Sequence, residues 1–130
     1  MASLHCLGFH HLALTAADVP RVAAFYRDVL GLPELTRHHR PDGTLRSIWL
    51  GLGAGEGFLA VEAAEAPAGG EGRLAVVALR IAPGDRAAAR AALAAAGVPV
   101  EKETGWTLYA RDPEGTLVGL SHHPLPAPLD

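Results

Sequence analysis

Two adjacent histidines near the start of the chain are the first candidates for chemistry. His10 and His11 belong to an apolar run at residues 9–14, and imidazole is a common ligand for divalent metals. A similar run follows at residues 75–79, where Val76 occupies the position that His11 has in the first run. The sequence therefore predicts a repeated structure of which only the first copy carries a metal-binding side chain.

The elements around these two runs follow the same order in both halves. Asp18 is suited to cap a helix and Gly31 to end it, and Asp85 and Gly97 stand at the equivalent positions of the second half. Strands are predicted at residues 9–15, 35–40, 45–51 and 57–63, and again at 74–81, 98–103, 106–111 and 116–122. The expected fold class is α+β, with two βαβββ modules forming curved mixed sheets around a shared cavity that could hold a small ligand.

The 130 residues are predicted to form a single domain with one core. Module one covers about residues 8–63, and a linker of small residues follows at 64–73. Module two covers about residues 74–122, and a tail with three prolines occupies 123–130. The prolines exclude helix or central strand from that tail.

Charge and cysteine content exclude several classes of partner. The net charge of −3 argues against nucleic acid, because phosphate binding requires a basic surface. No basic block or long apolar stretch indicates a membrane. Cys6 is the only cysteine, and the first residues lack the pattern of a signal peptide. We therefore expect a cytoplasmic protein whose partner is a small molecule.

Two segments resemble a known family. The run from His10 to Thr15, followed by Asp18 and residues 25–32, resembles the opening of the vicinal oxygen chelate superfamily. That superfamily includes glyoxalase I, fosfomycin and bleomycin resistance proteins, and extradiol dioxygenases. Residues 111–118 resemble its closing hairpin. The resemblance spans roughly residues 8–122 and implies this fold and a homodimer, while activities on the scaffold differ widely.

The resemblance also implies where a metal would bind. Metal-dependent members place one ligand on the first strand and one on the last strand of each module. His11 and Glu62 match these positions in module one, whereas Val76 and Gly119 stand there in module two. Two ligands fall short of the three that hold a catalytic zinc ion, and only pairing module one with module one of another chain would gather more. If the two are buried without metal, we expect Glu62 to hydrogen-bond to His11 or to a ligand.

The other candidates are aromatic and hydroxyl side chains on predicted strands. Aromatic rings in a cavity with few charges suit a flat or apolar ligand, although core packing is the commoner role of any one ring. Neither serine among them has the strand–turn–helix context of a nucleophile. The predicted ligand-binding residues are His11, Ser47, Trp49, Phe58, Glu62, Tyr109 and Ser121.

Three functions remain open at the level of sequence. The leading hypothesis is a small-molecule-binding protein of the glyoxalase or bleomycin-resistance type, without the full four-ligand metal site. The alternative is a metal-dependent lyase, isomerase or dioxygenase that binds a divalent metal ion. The third is an accessory module that keeps the fold for dimerisation.

Overall fold

The computed structural model describes residues 10–53, 57–64 and 76–123. Module one contains β1 (His11–Ala16), α1 (Val19–Ala24), a π-helical turn (Phe25–Val29), β2 (Glu34–His39), β3 (Leu45–Gly51) and β4 (Phe58–Ala63). Module two contains β5 (Val77–Arg80), a 3₁₀ turn (Pro83–Asp85), α2 (Arg86–Ala95), β6 (Lys102–Glu103), β7 (Thr107–Arg111) and β8 (Leu117–Ser121). The predicted α+β class with two βαβββ modules is confirmed. Cys6, most of the predicted linker and most of the tail lie outside the described residues.

Each module forms a four-stranded mixed sheet, and the two sheets have the same topology. The strand orders are β1-β4-β3-β2 and β5-β8-β7-β6. In both sheets the first strand of the module runs parallel to the last, and the other pairs are antiparallel. The internal repeat predicted from the sequence is therefore a repeat of structure.

Strand alternation divides each sheet into a face that packs on the helix and an open face. In β1, Leu14 and Ala16 are buried, whereas His11 and Thr15 are exposed, as the two-residue period of a strand requires. One hydrophobic cluster joins the buried faces of both modules; its members include Leu14, Ile48, Leu50, Leu59, Val61, Val77, Leu93, Val118 and Leu120. Since the core lies under the helices, the open faces are left for a site.

The first helix begins and ends as predicted but changes its winding in between. Asp18 Oδ1 accepts a hydrogen bond from the Arg21 amide at 3.1 Å, and Gly31 has a φ of 77°, which suits a residue without Cβ. From Phe25 to Val29 the winding is π-helical, and the Leu30 amide donates to the Phe25 carbonyl oxygen at 3.3 Å.

Two expectations for module two are corrected. Asp85 does not cap α2, because the chain enters that helix through the 3₁₀ turn and the side chain makes no capping hydrogen bond. The strand predicted at residues 98–103 is reduced to Lys102–Glu103. Pro99 cannot donate a ladder hydrogen bond, and the Val98 amide donates back to Leu93 of α2. Neither described helix is long and apolar enough to cross a membrane.

A turn of module two is bound to the start of α1. The buried hydroxyl of Tyr26 donates to Asp112 Oδ2 at 2.9 Å. The carboxylate of Glu114, two residues further along the turn, accepts hydrogen bonds from the amides of Ala17 at 2.8 Å and Asp18 at 2.7 Å. Burial, together with the neighbouring Asp112 carboxylate, raises the pKa of Tyr26 well above its usual range. These contacts hold the helix of one module to the other module.

Candidate ligand-binding face

The open face of module one carries four ring side chains, one from each strand. His11 and Phe58 stack with their ring centroids 4.8 Å apart and their planes at 3°. Phe58 and Trp49 stack at 4.1 Å and 18°, and His38 leans on Trp49 at 4.6 Å and 59°. We call these four residues, His11, Phe58, Trp49 and His38, the ring row. It crosses the whole sheet from β1 to β2.

His10 extends the ring row beyond β1. Its ring meets His11 edge-on at 5.2 Å and Phe58 edge-on at 5.8 Å between centroids. The Nδ1 atoms of His10 and His11 are 2.9 Å apart, so one of the two nitrogens donates a hydrogen bond to the other. The Nδ1 atom of His11 is thus engaged by its neighbour in sequence.

A second row of side chains lies beside the ring row on the same face. The strand register pairs His38 with Ser47, Ser47 with Glu62, and Glu62 with Thr15. Ser47 is two positions from Trp49, so its side chain points to the same face. We call these four residues, His38, Ser47, Glu62 and Thr15, the polar row. His38 belongs to both rows.

Three buried polar atoms of the described residues have no hydrogen-bond partner, and all three lie in these two rows. They are His38 Nε2, Ser47 Oγ and Trp49 Nε1. Ser47 is fully buried at 0% exposure, and the other two side chains are half-buried. A buried polar atom left unpaired costs about 1–3 kcal/mol, and native proteins rarely contain one without a reason. These atoms are the groups that a ligand would satisfy.

The register of β1 on β4 separates the predicted metal pair. His11 lies opposite Phe58 and Glu62 lies opposite Thr15, so four positions along parallel strands separate the two side chains. At about 3.3 Å per residue this is about 13 Å, too far for one ion held at about 2.0–2.2 Å by both. This register excludes a hydrogen bond between Glu62 and His11, which is itself exposed; a ligand, the other expected partner of Glu62, stays a prediction.

The open face of module two has an aromatic ring where the resemblance expects a carboxylate. A Cβ atom at Gly119 would lie 3.2 Å from Tyr109 Cε1 and 3.3 Å from Thr107 Cγ2. The ammonium of Lys102 lies 5.7 Å from the centroid of the Tyr109 ring, within the range of a cation–π contact. A side chain at Gly119 would thus require Tyr109 to move.

The residues of the described chain do not fit a metal site. Val76, at the third expected ligand position, is an exposed hydrophobic residue. No group of three His, Cys, Asp or Glu side chains among the described residues is arranged to hold an ion. Among the residues that the structure describes, His11 and Glu62 therefore have no partners that could complete a catalytic metal site.

The structure divides the predicted ligand-binding residues between the two open faces. Ser121 Oγ accepts hydrogen bonds from Thr107 Oγ1 at 2.8 Å and from the His123 amide at 3.2 Å, so it is already engaged. Tyr109 and Ser121 lie in module two, whereas module one contributes His11, Ser47, Trp49, Phe58 and Glu62. His38 and Thr15 are not among the ligand-binding residues predicted from the sequence. The two-residue period of β2 and β1 is the signal that could have found them.

A cavity of about 530 Å³ lies elsewhere, between α1 with its π-helical turn and the segment after α2. Phe25 and Val29 line one side of it, and Val98 and Pro99 line another. None of the predicted ligand-binding residues lines this cavity. The residues that carry the three unpaired polar atoms, His38, Ser47 and Trp49, do not line it either. We therefore take the open face of module one as the candidate site.

Comparison with known proteins identifies the scaffold. The family model described as Glyoxalase/Bleomycin resistance protein/Dioxygenase superfamily matches residues 8–120. No curated protein sequence matches the chain. FosX from Listeria monocytogenes, complexed with Mn(II) and sulfate, has a TM-score of 0.72 at 19% identity, covering 93% of this chain and 96% of FosX.

Two further solved structures share the fold. Lactoylglutathione lyase from Agrobacterium tumefaciens has a TM-score of 0.63 at 22% identity, covering 89% of this chain and 93% of the lyase. TioX from Micromonospora sp. ML1 has a TM-score of 0.68 at 24% identity, covering 89% and 99%. At these identities the likeness shows the fold alone, because this scaffold supports unrelated activities.

Proposed function

The chain belongs to the Glyoxalase/Bleomycin resistance protein/Dioxygenase superfamily, and on that premise we propose that it binds a flat, partly apolar small molecule on the open face of module one. The observation that carries this proposal is the ring row lying beside three buried polar atoms that have no partner among the described residues. Apolar surface with a few convergent polar groups is the usual composition of a ligand site.

The orientation of the rings favours a flat ligand. The centroid spacings of 4.8 Å and 4.1 Å along the row are close to the spacing of neighbouring strands, about 4.8 Å, so the rings stand upright on the sheet. Their faces are turned toward each other and their edges toward the open side. Ring edges carry partial positive charge, which attracts the negative face of an aromatic ligand laid across them.

The polar atoms would then determine how such a ligand is oriented. Trp49 Nε1 can only donate a hydrogen bond, Ser47 Oγ can donate or accept, and His38 Nε2 does one or the other according to its tautomer. Each hydrogen bond to a ligand would contribute about 0.5–1.5 kcal/mol net and remove the penalty of an unpaired atom.

The proposed site lacks the full four-ligand metal centre. Support comes from the distance between His11 and Glu62 along their strands and from the Tyr109 ring over Gly119. The similar FosX structure holds Mn(II), but the residues between positions 10 and 123 that the structure describes do not form a site for it. The alternative, a metal-dependent lyase, isomerase or dioxygenase, would need ligands from outside the described residues, from a second chain or from the substrate.

We also propose that the protein acts as a homodimer in the cytoplasm. Membership of the superfamily supports an oligomer, and the single cysteine is compatible with a reducing compartment. Sedimentation equilibrium measures the assembly directly. A monomer at micromolar concentration would contradict the dimer.

Thermal unfolding with anthracenemethanol, a flat neutral probe, tests the binding proposal. Because a ligand that binds only the folded state raises its stability, we expect a higher Tm for the wild type. We expect no shift for Phe58→Leu, which removes the centre of the ring row. Trp106→Phe, in module two, is the matched control and keeps the shift. An equal shift in Phe58→Leu would place the probe elsewhere.

Elemental analysis of untagged protein separates the proposal from its alternative. We expect less than one divalent metal per chain, unchanged by Glu62→Gln. One tightly bound ion per chain, lost in Glu62→Gln or His11→Ala, would establish the metal-dependent alternative instead.

A further inference from the structure

We propose that the polar row selects flat ligands carrying a primary ammonium group, which binds Glu62 between the hydroxyls of Ser47 and Thr15. This inference rests on the proposed binding function of the open face of module one. It goes beyond that function because it names the charge and the donor pattern of the ligand.

Glu62 is a carboxylate that no described side chain or amide satisfies. Its side chain is half-buried and makes no hydrogen bond or ion pair with the described residues. Removing a carboxylate from water without a compensating charge is unfavourable, so a ligand that covers this face must supply a cation or donors. Glu62 therefore disfavours neutral and anionic ligands at this place.

None of the basic side chains that the structure describes in module one forms an ion pair with Glu62. Arg37 is paired with Glu34 at 2.9 Å, and Arg40 donates to the Leu45 carbonyl oxygen at 3.3 Å. Arg46 is adjacent to Ser47 in β3, so strand alternation places it on the opposite face. His38 is separated from Glu62 by the intervening strand β3, a distance of about 9.6 Å at about 4.8 Å per strand.

The neighbours of Glu62 match the donors of an ammonium group. Ser47 and Thr15 are its two register partners, on either side of β4. Ser47 Oγ is fully buried and unpaired, so it is available as an acceptor. A primary ammonium has three N–H donors, and the row offers one carboxylate flanked by two hydroxyl oxygens. A quaternary ammonium has the same charge but no N–H donor, so it would not satisfy this arrangement.

The spacing of the two rows limits the length of the ligand. Trp49 and Ser47 are two positions apart in β3, which is about 6.6 Å at about 3.3 Å per residue. In β4 the two rows are four positions apart, about 13 Å, and the buried methyl group of Ala60 lies between Phe58 and Glu62. An aromatic ring lying over Trp49, whose register partner Ala60 is two positions from Glu62, thus reaches the polar row with an amine on a short link. The structure assigns the site to aryl-methylamine-like compounds.

Fluorescence titration with four anthracene probes tests this inference. Aminomethylanthracene is cationic at neutral pH, anthracenemethanol is neutral, anthracenecarboxylate is anionic, and trimethylammoniomethyl-anthracene is a quaternary cation. We expect the amine to bind the wild type about tenfold more tightly than the alcohol, as a charge-assisted hydrogen bond predicts. The quaternary cation should lose most of this preference, and the carboxylate should bind most weakly.

Variants of the polar row test whether its residues cause the preference for the amine over the alcohol. Glu62→Gln should abolish the preference for the amine while retaining binding of the alcohol, and Ser47→Ala should reduce it. Asp85→Asn, which removes an exposed carboxylate from the 3₁₀ turn of module two, is the matched charge control and should leave the preference intact. If Glu62→Gln does not fold, Ser47→Ala and Thr15→Val carry the same test.

The outcomes separate the inference from the function on which it rests. Equal binding of amine and alcohol to the wild type, or a preference that survives Glu62→Gln, would overturn the inference and leave the proposed function standing. Failure of all four probes to bind would overturn the proposed function itself.

Discussion

Asp112 is the residue that joins a turn of module two to a helix of module one. Its Oδ1 atom accepts from the Glu114 and Thr116 amides at 2.9 Å each, which forms the turn, and its Oδ2 atom accepts from Tyr26. Both side chains are buried, Asp112 at 5% exposure and Tyr26 at 0%. The tyrosine hydroxyl therefore contributes to the stability of the chain and lies outside the proposed ligand site.

Replacing Tyr26 by phenylalanine removes this donor and should lower the free energy of unfolding by about 1–3 kcal/mol, because Asp112 loses a buried partner. The raised pKa of Tyr26 adds a pH dependence. Above the ordinary tyrosine pKa of about 10, the unfolded chain loses this proton while the folded chain keeps it, so stability falls as pH rises. Urea denaturation at neutral and alkaline pH measures both effects.

Tyr109→Phe is the control for this change, since its ring packs over Gly119 and its hydroxyl makes no hydrogen bond with the described residues. We expect it to be close to neutral. The role assigned to Tyr26 would be refuted if the two variants lost the same stability, or if Tyr26→Phe kept the full alkaline fall.

The roles of single residues were predicted correctly where they depend on interactions with near neighbours in the sequence. The cap at Asp18 and the helix end at Gly31 depend on neighbours within a few positions, and both are confirmed. The hydrogen bond from Tyr26 to Asp112 spans 86 positions, so no local pattern contains it. Asp85 resembles a cap in sequence, but its φ of −96° and ψ of 5° lie outside the extended region that capping requires.

At the scale of elements, strand alternation predicts faces but not register. The sequence predicts a ligand site that includes His11, Trp49, Phe58 and Glu62, and the strand pairing puts these side chains on one side of one sheet. How far β1 slides along β4 depends on contacts across the whole sheet. An even shift leaves every side chain on the same face, so the pattern of apolar residues cannot distinguish the alternatives. The separation of His11 from Glu62 could not be predicted for this reason.

Helix α1 depends on an acceptor that comes from the other module. Glu114→Ala removes both hydrogen bonds to the Ala17 and Asp18 amides, and we expect faster hydrogen exchange at these two amides and at the first turn of α1. The free energy of unfolding should fall by about 1–3 kcal/mol. Exchange measured amide by amide with NMR checks both expectations.

Glu101→Ala provides a comparison, because that exposed carboxylate pairs with Arg111 and accepts no hydrogen bond from the amides at the start of α1. It should leave exchange in α1 unchanged. Unaltered protection of Ala17 and Asp18 in Glu114→Ala would show that water satisfies these amides equally well.

At the scale of the whole molecule, the two modules should unfold as one unit. Their buried faces belong to a single hydrophobic cluster, and the Tyr26 and Glu114 contacts connect α1 to the turn of module two. The chain has two tryptophans, Trp49 in module one and Trp106 in module two, so each module has its own optical probe. This distribution allows cooperativity to be measured.

In each of the variants Trp49→Phe and Trp106→Phe, the remaining tryptophan should report the same urea midpoint as far-ultraviolet circular dichroism. Coincident transitions are the signature of two-state unfolding. A fluorescence midpoint that precedes the circular dichroism midpoint in either variant would mean that one module opens first, and that the contacts between modules are weaker than their burial indicates.

The parallel pairing of β1 with β4 allows only certain registers between the two strands. A slip of one residue would turn Leu14 and Ala16 toward solvent, so β1 can move along its partner only in steps of two residues, about 6.6 Å each. One or two such steps of β1 toward the carboxyl end of β4 would bring His11 nearer to Glu62 and break its stacking on Phe58. Insertions or deletions in the loop before β4 could therefore convert a ring-lined face into a chelating one without any substitution in either strand.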